Sequence, residues 1–121
     1  MRNALQVHGA LSRGAFAVVV LVSLAVLLAP ASDVPSAPPG VDKLVHATLF
    51  AALALTGRWA GIRAVALSLL LVGYAVTSEL IQGLTPLERS ASVADGLADV
   101  VGICIGLALW ALLGRQTSPA P

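Results

Sequence analysis

Residues 64–84 read Ala64-Val65-Ala66-Leu67-Ser68-Leu69-Leu70-Leu71-Val72-Gly73-Tyr74-Ala75-Val76-Thr77-Ser78-Glu79-Leu80-Ile81-Gln82-Gly83-Leu84. The stretch carries one charged side chain, Glu79. A helix needs roughly 17–25 apolar residues to cross the hydrocarbon core, and this one is long enough. It does not alternate polar with apolar residues, so a strand of a closed barrel is excluded. In a bilayer only the helix then satisfies the backbone internally.

Three shorter apolar runs surround it, from about Ala15 to Ala31, Leu44 to Trp59 and Gly96 to Leu113. The predicted fold is therefore all-α, an integral membrane bundle of four transmembrane helices forming one domain over residues 1–121. Composition agrees. The chain is 58% hydrophobic and 11% charged, where soluble domains carry about 25% charged residues. No basic cluster points to nucleic acid. The single cysteine, Cys104, lies in an apolar run without electropositive neighbours, which argues against a reactive thiol.

The joints follow from backbone chemistry. Pro30 and the segment Asp33-Val34-Pro35-Ser36-Ala37-Pro38-Pro39-Gly40 cannot continue a helix. Asp42 stands where an N-cap is expected. Gly57-Arg58-Trp59-Ala60-Gly61-Ile62-Arg63 reads as a tight turn, and Thr85-Pro86-Leu87-Glu88-Arg89-Ser90 breaks the chain again.

Sorting the charges by these joints separates them. Arg2, Arg13, Arg58, Arg63 and Arg115 fall on one side with no acidic residue. Asp33, Asp42, Lys43, Glu88, Arg89 and Asp95 fall on the other. The positive-inside rule places the arginine side in the cytoplasm, giving N-in and C-in ends. A second reading of the first run is a cleaved signal peptide, with a basic start and Ala29-Pro30-Ala31 as the cleavage site. It leaves the orientation of the later spans unchanged.

Most polar side chains of the spans lie near that second side. Asp42 and His46 are spaced as i, i+4, Glu79 and Gln82 as i, i+3, and Asp95 and Asp99 as i, i+4. A carboxylate at mid-span costs about 2.5–3.5 kcal/mol on insertion scales and less near the interface, so such groups face the bundle interior and pair. Lys43, Arg89 and His46 are the available partners for Glu79. Tyr74 and Ser78 flank its turn as hydrogen-bond donors. Gly102 and Gly106 continue the helical stripe of Asp95 and Asp99, which predicts a close helix contact and an inward Asp99. The plain structural reading is helix capping at Asp42 and Asp95 plus one ion pair. The functional reading makes His46, Glu79 and Asp99 catalytic candidates and Asp42, Lys43, Gln82, Arg89 and Asp95 binding candidates. Metal binding by His46, Glu79 and Asp99 is chemically possible, but no His-x-x-x-His or Cys-x-x-Cys spacing supports it, and no metal or cofactor is expected.

Asp42-Lys43-x-x-His46, then Glu79-x-x-Gln82, then Arg89 followed by Asp95, position 99 and Gly102, resemble the VanZ-like family of bacterial membrane proteins over residues 42–108. The resemblance implies a polytopic inner-membrane protein, in a family whose founding member is associated with teicoplanin resistance. It also implies asparagine where this chain has Asp99, so an ionised Asp99 adds a negative charge to the pattern. Three function classes follow. The first is a protein that engages a membrane lipid or lipid-linked wall precursor, enzymatic or not, with Lys43 and Arg89 on a phosphate head group and His46 or Glu79 as acid or base. The second is a small transporter or flippase component, and the third a scaffold or accessory subunit that joins a homo-oligomer or a membrane partner.

Overall fold

The computed structural model describes residues 9–29, 40–84 and 93–117, with side chains to residue 114. They form four α-helices: α1 (Ala10–Leu27), α2 (Val41–Trp59), α3 (Ala64–Leu84) and α4 (Val93–Thr117). α3 has the bounds read from its sequence. α1 starts and ends earlier than the apolar run, while α2 and α4 each begin three residues before theirs. Three of the helices, α1, α3 and α4, are long and apolar enough to cross a membrane. α2, expected as a fourth span, is less apolar, because it carries Asp42, Lys43, His46, Thr56 and Arg58.

The caps follow from local chemistry. Gly40, not Asp42, is the N-cap of α2. It has φ +90°, a left-handed conformation that costs glycine little. Asp42 instead lies in the first turn, where its charge complements the helix dipole. The other end of α2 closes in a Schellman motif. Gly61 has φ +101°, its N–H donates to the Arg58 carbonyl at 3.0 Å, and the Ile62 N–H donates to the Gly57 carbonyl at 3.0 Å. Ile62 then packs against the core, and the Arg58 Nη1 donates to the Ile62 carbonyl at 2.8 Å. Gly57 and Arg58 thus belong to the helix rather than to the turn.

The four helices run up, down, up and down, which gathers the end of α1, the start of α2, the end of α3 and the start of α4 at one end of the bundle. α2 lies in the middle. It packs along α4 and also meets α1 and α3. The α2–α4 approach is set by Gly102 and Gly106. A Cβ on Gly102 would collide with the backbone carbonyl of Ala47, and one on Gly106 with the carbonyl of Ala51. The expected close contact of the glycine stripe is therefore within the bundle, against α2.

The buried apolar core comprises Leu27, Phe50, Leu53, Ala54, Leu67, Leu71, Ala75 and Ile103. α1 is a packed member of it through Leu27, and Phe16 reaches α2 beside Gly57. Outside, the pattern is inverted relative to a soluble protein. Leu21, Val65, Leu69, Leu80, Leu97 and Leu112 are exposed, while Asp99, His46 and Gln82 are buried. An apolar belt around a polar interior is what lipid as solvent selects.

Candidate functional site

The polar residues meet where α2, α3 and α4 come together. His46 sits one turn into α2 and is 2% exposed. Asp99 sits two turns into α4 and is fully buried. Helical spacing from Gly102 and Gly106 holds Asp99 against α2, so the glycines that allow the close approach also deliver the carboxylate. The His46 Nδ1 lies 2.8 Å from Asp99 Oδ1 and 3.9 Å from Glu79 Oε1 on α3. On the other side of the ring, Nε2 faces Asp95 Oδ2 at 4.0 Å. Asp95 accepts a hydrogen bond from Lys43 Nζ at 3.1 Å, and Lys43 also reaches Asp42 at 3.3 Å. The result is a chain from the rim inward: Asp42, Lys43, Asp95, His46, then Asp99 and Glu79.

Charge at the rim is mutually reinforcing. Hydrogen bonds to Asp95 and then Asp42 push the Lys43 ammonium above its usual range. Slight burial pushes Asp42 up, but the Lys43 hydrogen bond and charge outweigh it and hold the carboxyl below its usual range. Asp42 is half exposed at the rim, with Lys43 as its partner.

Five of the eight expected residues therefore form one connected cluster: Lys43, His46, Glu79, Asp95 and Asp99. Asp42 joins only at the rim. Gln82 is 1% exposed, but its amide Nε2 donates to the Leu27 carbonyl of α1, not to the cluster. It satisfies one of the carbonyls that the end of α1 leaves open. Arg89 lies outside the described residues. Tyr74 and Ser78 also bond elsewhere: the Tyr74 hydroxyl meets Ser23 Oγ of α1 at 2.8 Å, and Ser78 Oγ donates to the Ala75 carbonyl at 3.0 Å. The contribution of α1 was not anticipated from sequence. Its signal was available, since Ser23 is the one polar residue between Gly14 and Pro30.

Beside the cluster, α3 and α4 diverge into a crevice of about 440 Å³. Val72, Val76, Leu80, Gly96, Leu97 and Glu79 are among its lining. Glu79 thus belongs both to the polar cluster and to the lining of an apolar groove between α3 and α4.

The sequence profile of the VanZ/LLP1 family matches residues 6–114. The chain belongs to the VanZ/LLP1 family. The match extends beyond the motif-bearing stretch at residues 42–108 and takes in α1. No curated protein and no solved structure matches the chain. As a VanZ-family chain with apolar, membrane-span-like helices, it is a membrane protein, and the cluster is set among those helices.

Proposed function

We propose that this VanZ-like protein is a multi-pass protein of the bacterial inner membrane, with both ends in the cytoplasm, that engages an envelope lipid or lipid-linked cell-wall precursor at its outer face. The observation that carries the reading is Glu79, which joins a buried polar cluster to an apolar crevice between α3 and α4. An amphiphile has the matching form: a polar head group for the cluster and a hydrocarbon chain for the crevice. Lys43 stands at the rim as a point charge for a phosphate. The five arginines on the opposite side support the orientation. Through such a precursor the protein is linked to the glycopeptide resistance associated with the family.

Native mass spectrometry of the purified protein tests this. The expected result is a co-isolated phospholipid or polyprenyl lipid. Gly96 lines the crevice and a Cβ there meets nothing within 4 Å, so Gly96→Leu places an apolar side chain at the groove. It should reduce lipid retention while the helical content stays unchanged. Lipid-free protein, or retention unaltered by Gly96→Leu, would favour the scaffold reading, in which the cluster serves only to lock α2, α3 and α4 together.

A further inference from the structure

We propose that His46, Glu79 and Asp99 form a binding site for one divalent transition-metal cation, of the Zn²⁺ or Mn²⁺ class. The three residues come from three different helices, and one ligand atom of each lies within 4.8 Å of the others. Two carboxylates carry the charge that neutralises a divalent ion, and the imidazole, bound in its neutral form, adds a nitrogen donor. The mixed nitrogen and oxygen donor set suits Zn²⁺ through the imidazole and Mn²⁺ through the carboxylates.

The two separations from the imidazole lie near those of a metal centre. Metal–ligand bonds of 2.0–2.2 Å in a tetrahedral site set donor atoms about 3.3 Å apart. The His46 Nδ1 separations of 2.8 Å to Asp99 and 3.9 Å to Glu79 straddle that value. All three donor atoms lie within 4.8 Å of one another, so side-chain rotations of the two carboxylates draw them toward a common centre.

A second observation is independent of this spacing. Asp99 is fully buried, yet among the described residues its Oδ2 has no hydrogen-bond partner. A buried acceptor without a donor costs roughly 1–3 kcal/mol, and more when charged. A cation that Asp99 holds through both carboxylate oxygens satisfies it.

The surroundings also resemble the outer sphere of a metal centre. A ligating histidine commonly has its second ring nitrogen directed at a carboxylate, which sets tautomer and orientation. Here Nδ1 faces the other ligands, Nε2 faces Asp95 at 4.0 Å, and Lys43 holds Asp95 at 3.1 Å. Three protein ligands leave coordination positions for water or another oxygen donor. The site stands whether or not a lipid occupies the crevice.

The test is metal analysis of the purified full-length protein, followed by stripping with a chelator and titration with Zn²⁺ and with Mn²⁺. About one equivalent should bind. His46→Gln and Asp99→Asn should weaken binding by more than about 100-fold, and Asp95→Asn by about 10–100-fold, as expected for an outer partner of the histidine. Cys104→Ser and His8→Ala should bind as the unaltered protein does. Circular dichroism in detergent checks that each variant keeps its helices. Should the ligand variants unfold, Co²⁺ added to unaltered protein and to Cys104→Ser should give the same visible absorption bands from nitrogen and oxygen donors. Folded, stripped protein that takes up no ion and gives no Co²⁺ bands would overturn the proposal, as would undiminished binding by folded His46→Gln.

Discussion

The His46 imidazole and the Asp99 carboxylate meet at 2.8 Å in the middle of the α2–α4 contact, with 2% and 0% of their residues exposed. The pair joins two helices at a place where both partners have left solvent. Removing one member of a buried pair costs about 3–5 kcal/mol, because the other is left uncompensated. Asp99→Ala and His46→Ala should each destabilise strongly. Asp99→Asn keeps a hydrogen-bonding group of the same shape and should cost less than Asp99→Ala. A double-mutant cycle by thermal unfolding in detergent should give a coupling of about 0.5–3 kcal/mol. Strict additivity would mean that the two residues do not interact.

The Gly102 and Gly106 contacts predict opposite outcomes for glycines on the same chain. Gly102→Ala drives a methyl into the Ala47 carbonyl, and Gly106→Ala one into the Ala51 carbonyl. Neither neighbour is a side-chain end that can swing away. Overpacking of this kind costs about 1–3 kcal/mol. Gly73→Ala meets nothing within 4 Å and should stabilise by about 0.5–1 kcal/mol through helix propensity. Melting temperatures of the three variants, compared in one detergent, check the difference in sign.

Among the described residues, hydrogen bonds tie α1 to α3 at Ser23 with Tyr74 and at Gln82 with the Leu27 carbonyl. Tyr74→Phe keeps the ring beside Phe50, at 5.6 Å between centroids, and loses only the hydroxyl. A cost of about 0.5–1.5 kcal/mol is expected. Gln82→Leu leaves the buried Leu27 carbonyl without its donor and should cost about 1–3 kcal/mol. Hydrogen exchange should report faster opening at the C-terminal turn of α1 in both variants, and more so in Gln82→Leu.

The Lys43 pairs predict a flat pH response over a wide window. Lys43 is raised by Asp95 and Asp42, so its contribution is present below about pH 10.4 and is lost as pH rises through the folded value. Asp42 is lowered, so its contribution is present above about pH 3.9 and is lost as pH falls through its folded value. Between these limits the stability difference made by Lys43→Met should not change with pH when measured in a His46→Gln background, which removes the neighbouring imidazole. Salt should reduce it, because the rim is open to solvent. Unfolding midpoints measured across pH 5–9 at two ionic strengths provide the check.

Much of the molecule was legible one helix at a time. The apolar run at 64–84 coincides with α3, because span length and side-chain polarity are local properties that lipid enforces directly. The turn at Gly61 follows from a glycine placed just past a helix end. The inward stripe Asp95, Asp99, Gly102 and Gly106 was readable from helical spacing, since four residues make about one turn. Asp42 was misplaced for an equally local reason. Gly40 takes the cap in a left-handed conformation, which shifts the helix start and leaves Asp42 at the rim.

Partnership is where one-dimensional reading stopped. Spacing put polar groups at a common depth on three helices, but depth does not specify the rotation of each helix about its axis. That rotation is set by packing: Gly102 and Gly106 admit the Ala47 and Ala51 backbone, and this turns Asp99 onto His46. The same packing sends Glu79 toward His46 and Gln82 toward α1, although the two are neighbours on one helix. Helix propensity and hydropathy thus establish which segments become helices within the membrane. Which carboxylate meets the histidine depends on contacts between residues 53 positions apart, and those exist only once the bundle has closed.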